Sequence, residues 1–155
     1  MITTEQTITV TINGTTYERE VAARKLLIHF VRDDLDLTGS HIGCDTGNCG
    51  ACSMLVDGTL VKSCMMLAVQ ADGATVETVE GLSDGDELNR LQASFREHHA
   101  LQCGYCTPGM LMSATALLRE KPSPSDDEIR KALQGNICRC TGYWNIFEAV
   151  KAAAQ

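Results

Sequence analysis

Eight cysteines in 155 residues are the groups most able to do chemistry, and they fall into two sets of four. The first runs Cys44-x4-Cys49-x2-Cys52-x11-Cys64, the second Cys103-x2-Cys106-x31-Cys138-x-Cys140. Thiols in quartets either pair as disulfides or hold metal. Disulfides persist in oxidising compartments, and Met1-Ile2-Thr3-Thr4-Glu5-Gln6 carries neither the basic nor the apolar segment of a secretory signal. Structural zinc favours paired Cys-x2-Cys knuckles, a pattern that neither quartet follows.

The Cys-x4-Cys-x2-Cys spacing with a fourth cysteine beyond is that of plant-type [2Fe–2S] ferredoxins, in which a loop wraps the cluster. We therefore read the quartets as two [2Fe–2S] sites, with Cys44, Cys49, Cys52 and Cys64 as ligands of one and Cys103, Cys106, Cys138 and Cys140 of the other. The loop Gly43-Cys44-Asp45-Thr46-Gly47-Asn48-Cys49-Gly50-Ala51-Cys52 is rich in residues that tolerate unusual backbone angles, which lets N–H groups turn toward negatively charged sulfur. In the second quartet, Cys103 and Cys106 precede an expected helix N-terminus, a setting that stabilises thiolates. Each oxidised cluster with its four thiolates carries −2, which takes the formal charge from −7 to about −11.

Two small domains must position these sites. In the first, Ile8, Val10 and Ile12 alternate with threonines, Asn13-Gly14 supplies a tight turn, and residues 15–21 return, so a β-hairpin is expected. Helical spacing follows over 22–34, with Leu26, Leu27, Phe30 and Val31 on one face. Residues 52–56 and 60–64 flank Asp57-Gly58 as a second hairpin, and 75–79 offers a last strand. The polar segment Glu80-Gly81-Leu82-Ser83-Asp84-Gly85-Asp86-Glu87 reads as a linker, placing the division near residue 80. Beyond it the signals are helical. A helix over 87–99 turns Leu88, Leu91 and Phe95 inward; another opens at Thr107-Pro108 with the threonine hydroxyl as cap; Ser125-Asp126-Asp127-Glu128 is a capping box; and Ile146, Ala149 and Val150 mark a fourth helix. The expected class is α+β: a ferredoxin-like β-grasp domain over 1–80, then an all-α four-helix domain over 81–155. Neither half is large enough for a generous core, and the quartets would staple both.

Composition narrows the role. A net charge of −7 and a pI near 5.0 repel phosphate backbones and anionic lipid, so nucleic-acid and peripheral-membrane roles are disfavoured. No apolar run suits a membrane span, and a cytoplasmic location is expected. His29, His41, His98 and His99 are read as solvated or capping, because a His-ligated Rieske centre would leave two cysteines unexplained. Met65, Met66, Met110 and Met112 are read as packing. No nucleotide-binding glycine motif and no nucleophile with its base can be assembled, so no catalytic residue is expected. Two one-electron centres in so small a chain suit a relay serving a catalyst on another chain.

The chain resembles the small iron–sulfur subunit of the molybdenum hydroxylases, the group of xanthine oxidase-type, aldehyde, N-heterocycle and carbon monoxide dehydrogenases. The resemblance spans about residues 8–153. It rests on residues 43–52, on Gln102-Cys103-Gly104-Tyr105-Cys106-Thr107-Pro108-Gly109, and on Gly135-Asn136-Ile137-Cys138-Arg139-Cys140-Thr141-Gly142-Tyr143. It implies that electrons run from a molybdopterin on a large subunit through the helical-domain cluster and then the ferredoxin-domain cluster to FAD on a medium subunit. It further implies a dimer of heterotrimers, with Gln102 and Cys140 contacting the pterin. Residues 26–30 and 40–46 look most like the carbon monoxide dehydrogenase small subunits, whereas residues 91–101 look like those of quinoline-type hydroxylases. Carbon monoxide is the expected substrate of the complex, with an N-heterocycle or aldehyde as the alternative. A free-standing ferredoxin-type carrier and a purely structural module are the rivals of another class.

Overall fold

A computed structural model describes residues 5–83 and 85–154; Met1 to Thr4, Asp84 within the expected linker, and Gln155 lie outside the described residues. Strands β1 (Glu5–Ile12) and β2 (Thr15–Ala22) form the first hairpin, turned by Asn13 and Gly14 at positive φ. Strands β3 (Ser53–Val56) and β4 (Thr59–Lys62) form the second around Asp57 and Gly58, also at positive φ. Strand β5 (Thr75–Glu77) joins them, parallel to β1 and antiparallel to β3, in a sheet ordered β2-β1-β5-β3-β4. Ile8, Val10 and Ile12 point from β1 into a core with Leu27, Ile28, Phe30, Met54 and Val76.

The expected helix over 22–34 is shorter and less regular. Helix α1 spans only Leu27–His29 and continues as a π-helical turn over Phe30–Asp34. Residues 22–26 instead lead out of the sheet, where Leu27 N–H reaches the Met66 carbonyl (2.8 Å) and the Lys25 carbonyl accepts from Ala68 N–H (2.7 Å). The start of the expected linker is also ordered: Val79–Leu82 is a 3-10 turn, Leu82 is buried, and Glu80 accepts from Gly39 N–H and from the Thr78 hydroxyl.

The second half is helical: α2 (Arg90–Glu97), α3 (Thr107–Glu120), α4 (Asp126–Leu133) and α5 (Trp144–Ala153). Asn89 caps α2 by accepting from Gln92 N–H, so the helix begins after Leu88, which is exposed rather than inward. Cys106, not Thr107, occupies the cap position of α3; Thr107 is its first helical residue, with its buried hydroxyl lacking a hydrogen-bond partner among the described residues. Ser125 and Glu128 form the expected capping box of α4. Leu91, Phe95, Met110, Met112, Ile129, Ile146 and Val150 share one core, and Leu55 of β3 and Leu82 complete it from the sheet side.

Candidate metal centres

Loop 39–52 crosses one end of the sheet and is pinned where Ala51 O accepts from His41 N–H (3.2 Å) and Gly50 O accepts from Ser53 N–H (3.1 Å). Asp45, Gly47 and Gly50 take positive φ, and the chain curls so that the N–H groups of Thr46 (3.5 Å) and Cys49 (3.3 Å) point at Cys44 Sγ. The Thr46 hydroxyl, then those two N–H groups, hold the Cys44 thiol down at about 6. Cys52, at the head of β3, and Cys64, on the turn after β4, are buried. Burial, then the Cys52 thiol, pushes Cys64 up to about 11. The quartet thus has a half-exposed rim, Cys44 and Cys49, and a buried floor. Gly43 passes so close that a Cβ there would lie 2.9 Å from Cys49 Sγ.

The second quartet is built from two segments. Cys103 and Cys106 flank the turn before α3; Cys138 and Cys140 lie between α4 and α5. Cys140 Sγ lies 3.5 Å from Cys103 Sγ, and both are exposed. Cys106 is pushed up to about 12, first by burial and then by the Cys138 thiol. Burial works against the Cys138 thiolate, but the Thr141 hydroxyl (3.1 Å) and neighbouring N–H groups outweigh it and lower this thiol. Cys103 is lowered by the Tyr105 N–H and by Cys140. A cavity of about 220 Å³ is lined by all four of these cysteines and by Cys49 and Gly43.

The donor set fits a thiolate-ligated iron–sulfur core at each site. The four cysteines of the second quartet line one cavity, Cys64 lies close enough to Cys52 and Cys44 to feel their thiols, each quartet pairs sulfur with N–H or hydroxyl donors, and Gly43 leaves room where a side chain would intrude. Among the described residues no three His, Cys, Asp or Glu side chains are gathered as a single ion would need. A two-iron core is wider, and asks four thiolates to surround a volume rather than a point.

The two sites are neighbours, joined by residues the spacing did not single out. The Cys49 carbonyl accepts from Ile137 N–H at 2.8 Å, so a residue of the first quartet is one hydrogen bond from the chain neighbour of Cys138. Buried Asn136 donates to the Gly50 carbonyl (3.1 Å) and accepts from Ser113 Oγ (2.7 Å), while Lys62 Nζ binds the Gly135 carbonyl. His41 Nδ1 meets the Tyr105 carbonyl at 2.8 Å, in place of the solvated or capping role expected for it. Gln102 is exposed beside Cys103, so both residues expected to touch a pterin, Gln102 and Cys140, share one exposed edge.

Comparison with known proteins agrees with this geometry. Residues 10–83 match the 2Fe-2S iron-sulfur cluster binding domain, and residues 78–151 match the [2Fe-2S] binding domain. The chain is 54% identical to the nicotine 6-hydroxylase small subunit of Paenarthrobacter nicotinovorans, over 92% of this chain and 86% of that one. It is 49% identical to the caffeine dehydrogenase subunit gamma of Pseudomonas sp. (strain CBB1), over 95% and 90%. Among solved structures, quinoline 2-oxidoreductase from Pseudomonas putida 86 superposes with a TM-score of 0.94 at 51% identity, over 97% of this chain and 94% of that chain. The aldehyde oxidoreductase of Desulfovibrio gigas gives 0.92 at 39%, over 96% of this chain but 17% of that longer one. The chain belongs to the small iron–sulfur subunits of the molybdenum hydroxylases, and its α+β fold, a ferredoxin-like sheet domain followed by a helical domain, is theirs.

Proposed function

We propose that this chain is the electron-transfer subunit of a molybdenum hydroxylase, carrying electrons from a molybdopterin on a large subunit toward FAD on a medium subunit. The observation that carries this reading is the contact between two thiolate quartets, one with its Cys103–Cys140 edge exposed and the other with its Cys44 rim half-exposed. When bound, each [2Fe–2S] core supplies a one-electron redox centre. Cys44, Cys49, Cys52 and Cys64 hold the one in the sheet domain, and Cys103, Cys106, Cys138 and Cys140 hold the one in the helical domain, with the division near residue 80. The exposed side chains of Leu101, Tyr105, Ile137, Tyr143 and Trp144 belong to the same helical half, which suits docking on the large subunit, with Gln102 and Cys140 turned to the pterin. A dimer of such heterotrimers, in the cytoplasm, is the assembly we propose.

The relatives named for nicotine, caffeine and quinoline favour an N-heterocycle as substrate of the complex. Carbon monoxide is the second reading, favoured by residues 26–30 and 40–46. Assays of the purified complex against both classes separate them.

The complex should hold about four iron and four labile sulfide per copy of this chain and show two paramagnetic centres on reduction. Cys49→Ala should remove one signal and Cys106→Ala the other. The isolated, cluster-loaded chain should pass electrons to dyes yet oxidise neither carbon monoxide nor a heterocycle. Stoichiometric zinc, or turnover by the isolated chain, overturns the reading.

A further inference from the structure

Hydrogen bonds tie the first cluster loop to the helical domain at two places, and each tie holds a different half of the second quartet. One tie is mostly backbone: residues 135–137, leading to Cys138, lie against Cys49 and Gly50. The other is made by side chains and holds the turn between Cys103 and Cys106. Here Tyr105, the residue just before Cys106, makes three contacts to residues 41–42. Its carbonyl is 2.8 Å from His41 Nδ1, its hydroxyl donates to the Ile42 carbonyl at 2.8 Å, and its ring stacks on the imidazole with centroids 4.5 Å apart and planes 22° from parallel. A carbonyl can only accept, so His41 carries its proton on Nδ1. The backbone that carries the imidazole is held in turn by the bond from the His41 main-chain N–H to the Ala51 carbonyl and by Arg32, which binds the Ser40 carbonyl.

Tyr105 is 49% exposed, so these contacts do not serve to fill a core. What they fix is position: two bonds and a stack leave the Cys103–Cys106 turn no freedom to slide or rotate against Ile42-Gly43-Cys44. We propose that the His41–Tyr105 clasp is a positioning device that sets the separation and electronic coupling of the two cluster sites. The step it serves moves one electron from the reduced helical-domain cluster to the oxidised sheet-domain cluster, with no bond broken and no proton moved. The inference rests on the assignment of both quartets as [2Fe–2S] sites, and its failure is distinguishable from failure of that assignment.

The test uses the assembled complex. Wild type reports on the assignment: full iron and two reduced-state signals that split each other magnetically must be present, and their absence sinks the assignment along with the clasp. Given those, His41→Ala should keep full iron, weaken the spin–spin splitting, and slow inter-cluster electron transfer in flash photolysis by about tenfold, the low end for loss of an outer-shell partner. Tyr105→Phe, which removes only the bond to Ile42, should do the same to a smaller extent, and His41→Gln, which keeps a side-chain N–H donor, should restore most of both readouts. Unchanged splitting and rate in His41→Ala and Tyr105→Phe, with both clusters full, overturn the proposal. Should His41→Ala lose iron, Tyr105→Phe decides; loss of iron in both shows a role in cluster retention and likewise overturns it.

Discussion

A Cβ at position 109 would lie 2.0 Å from the Gly50 carbonyl oxygen, which cannot move without shifting the loop that carries Cys49 and Cys52. Gly109→Ala should therefore cost about 3 kcal/mol, the upper end for an overpacked site, and lower iron content with it. Gly58 is the control: its φ of +77° disfavours any side chain, yet nothing lies within 4 Å, so Gly58→Ala should cost only about 1 kcal/mol of backbone strain. Equal losses in denaturant unfolding would refute the steric account. Asn136 has the complementary role, since its side chain closes a buried hydrogen-bonded chain from Ser113 to Gly50. Asn136→Ala leaves Gly50 O one bond short and should cost about 1–3 kcal/mol by calorimetry. The two cysteine quartets stand out in the sequence because most of their spacings are short and local. Gly109, Asn136 and the His41–Tyr105 pair do not, since each acts across to a partner from the other half of the chain.

Among the elements, α4 carries its start signal in four residues. Ser125 accepts from Glu128 N–H, Glu128 accepts from Ser125 N–H, and Lys121 pairs with the same carboxylate. Lys121 first, then Ser125, holds the Glu128 carboxyl down at about 2. Because the folded value lies below the ordinary 4.5, this interaction stabilises fully above that value and is lost as pH falls through about 2. Amide-exchange protection in α4, corrected for intrinsic rates, should fall across that window in wild type and show no such step in Glu128→Gln. Ser125→Ala should destabilise by about 1 kcal/mol at neutral pH. Elements with this kind of local chemistry were legible: both hairpins through Asn13-Gly14 and Asp57-Gly58, and α4 through its box. Asn89 and Gln92 form the same sort of box before α2, a signal that stands in the sequence next to the apolar Leu88. The π-helical turn at Phe30–Asp34 has no local signature, and periodicity alone starts that helix at Ala22 instead of Leu27 and makes it regular throughout.

Over the whole molecule, the halves are chemically separate and mechanically joined. Leu55 and Leu82 sit in the helical core, α3 lies on β3, and Arg119 of α3 grips Glu77 of β5 with two hydrogen bonds of 2.7 and 2.8 Å. That pair is partly exposed and contributes at most about 1 kcal/mol, so the apolar joint carries the coupling. Unfolding of the holo chain should accordingly be a single transition, with cluster absorbance and far-ultraviolet dichroism lost together; two resolved steps would show that the joint is weaker than its packing. The sequence foretold two halves from the order of the cysteines, but the joint is built from ordinary leucines that nothing in their neighbourhood marks as shared. The parallel pairing of β1 with β5, Thr11 opposite Thr75, has a bearing on how fast the chain folds. All four cysteines of the first quartet lie in the long segment that this pairing must close. Tying Cys44, Cys49, Cys52 and Cys64 to one centre would shorten the free length of that segment before the strands meet, lowering the entropy of closure and quickening the slowest contact in the sheet.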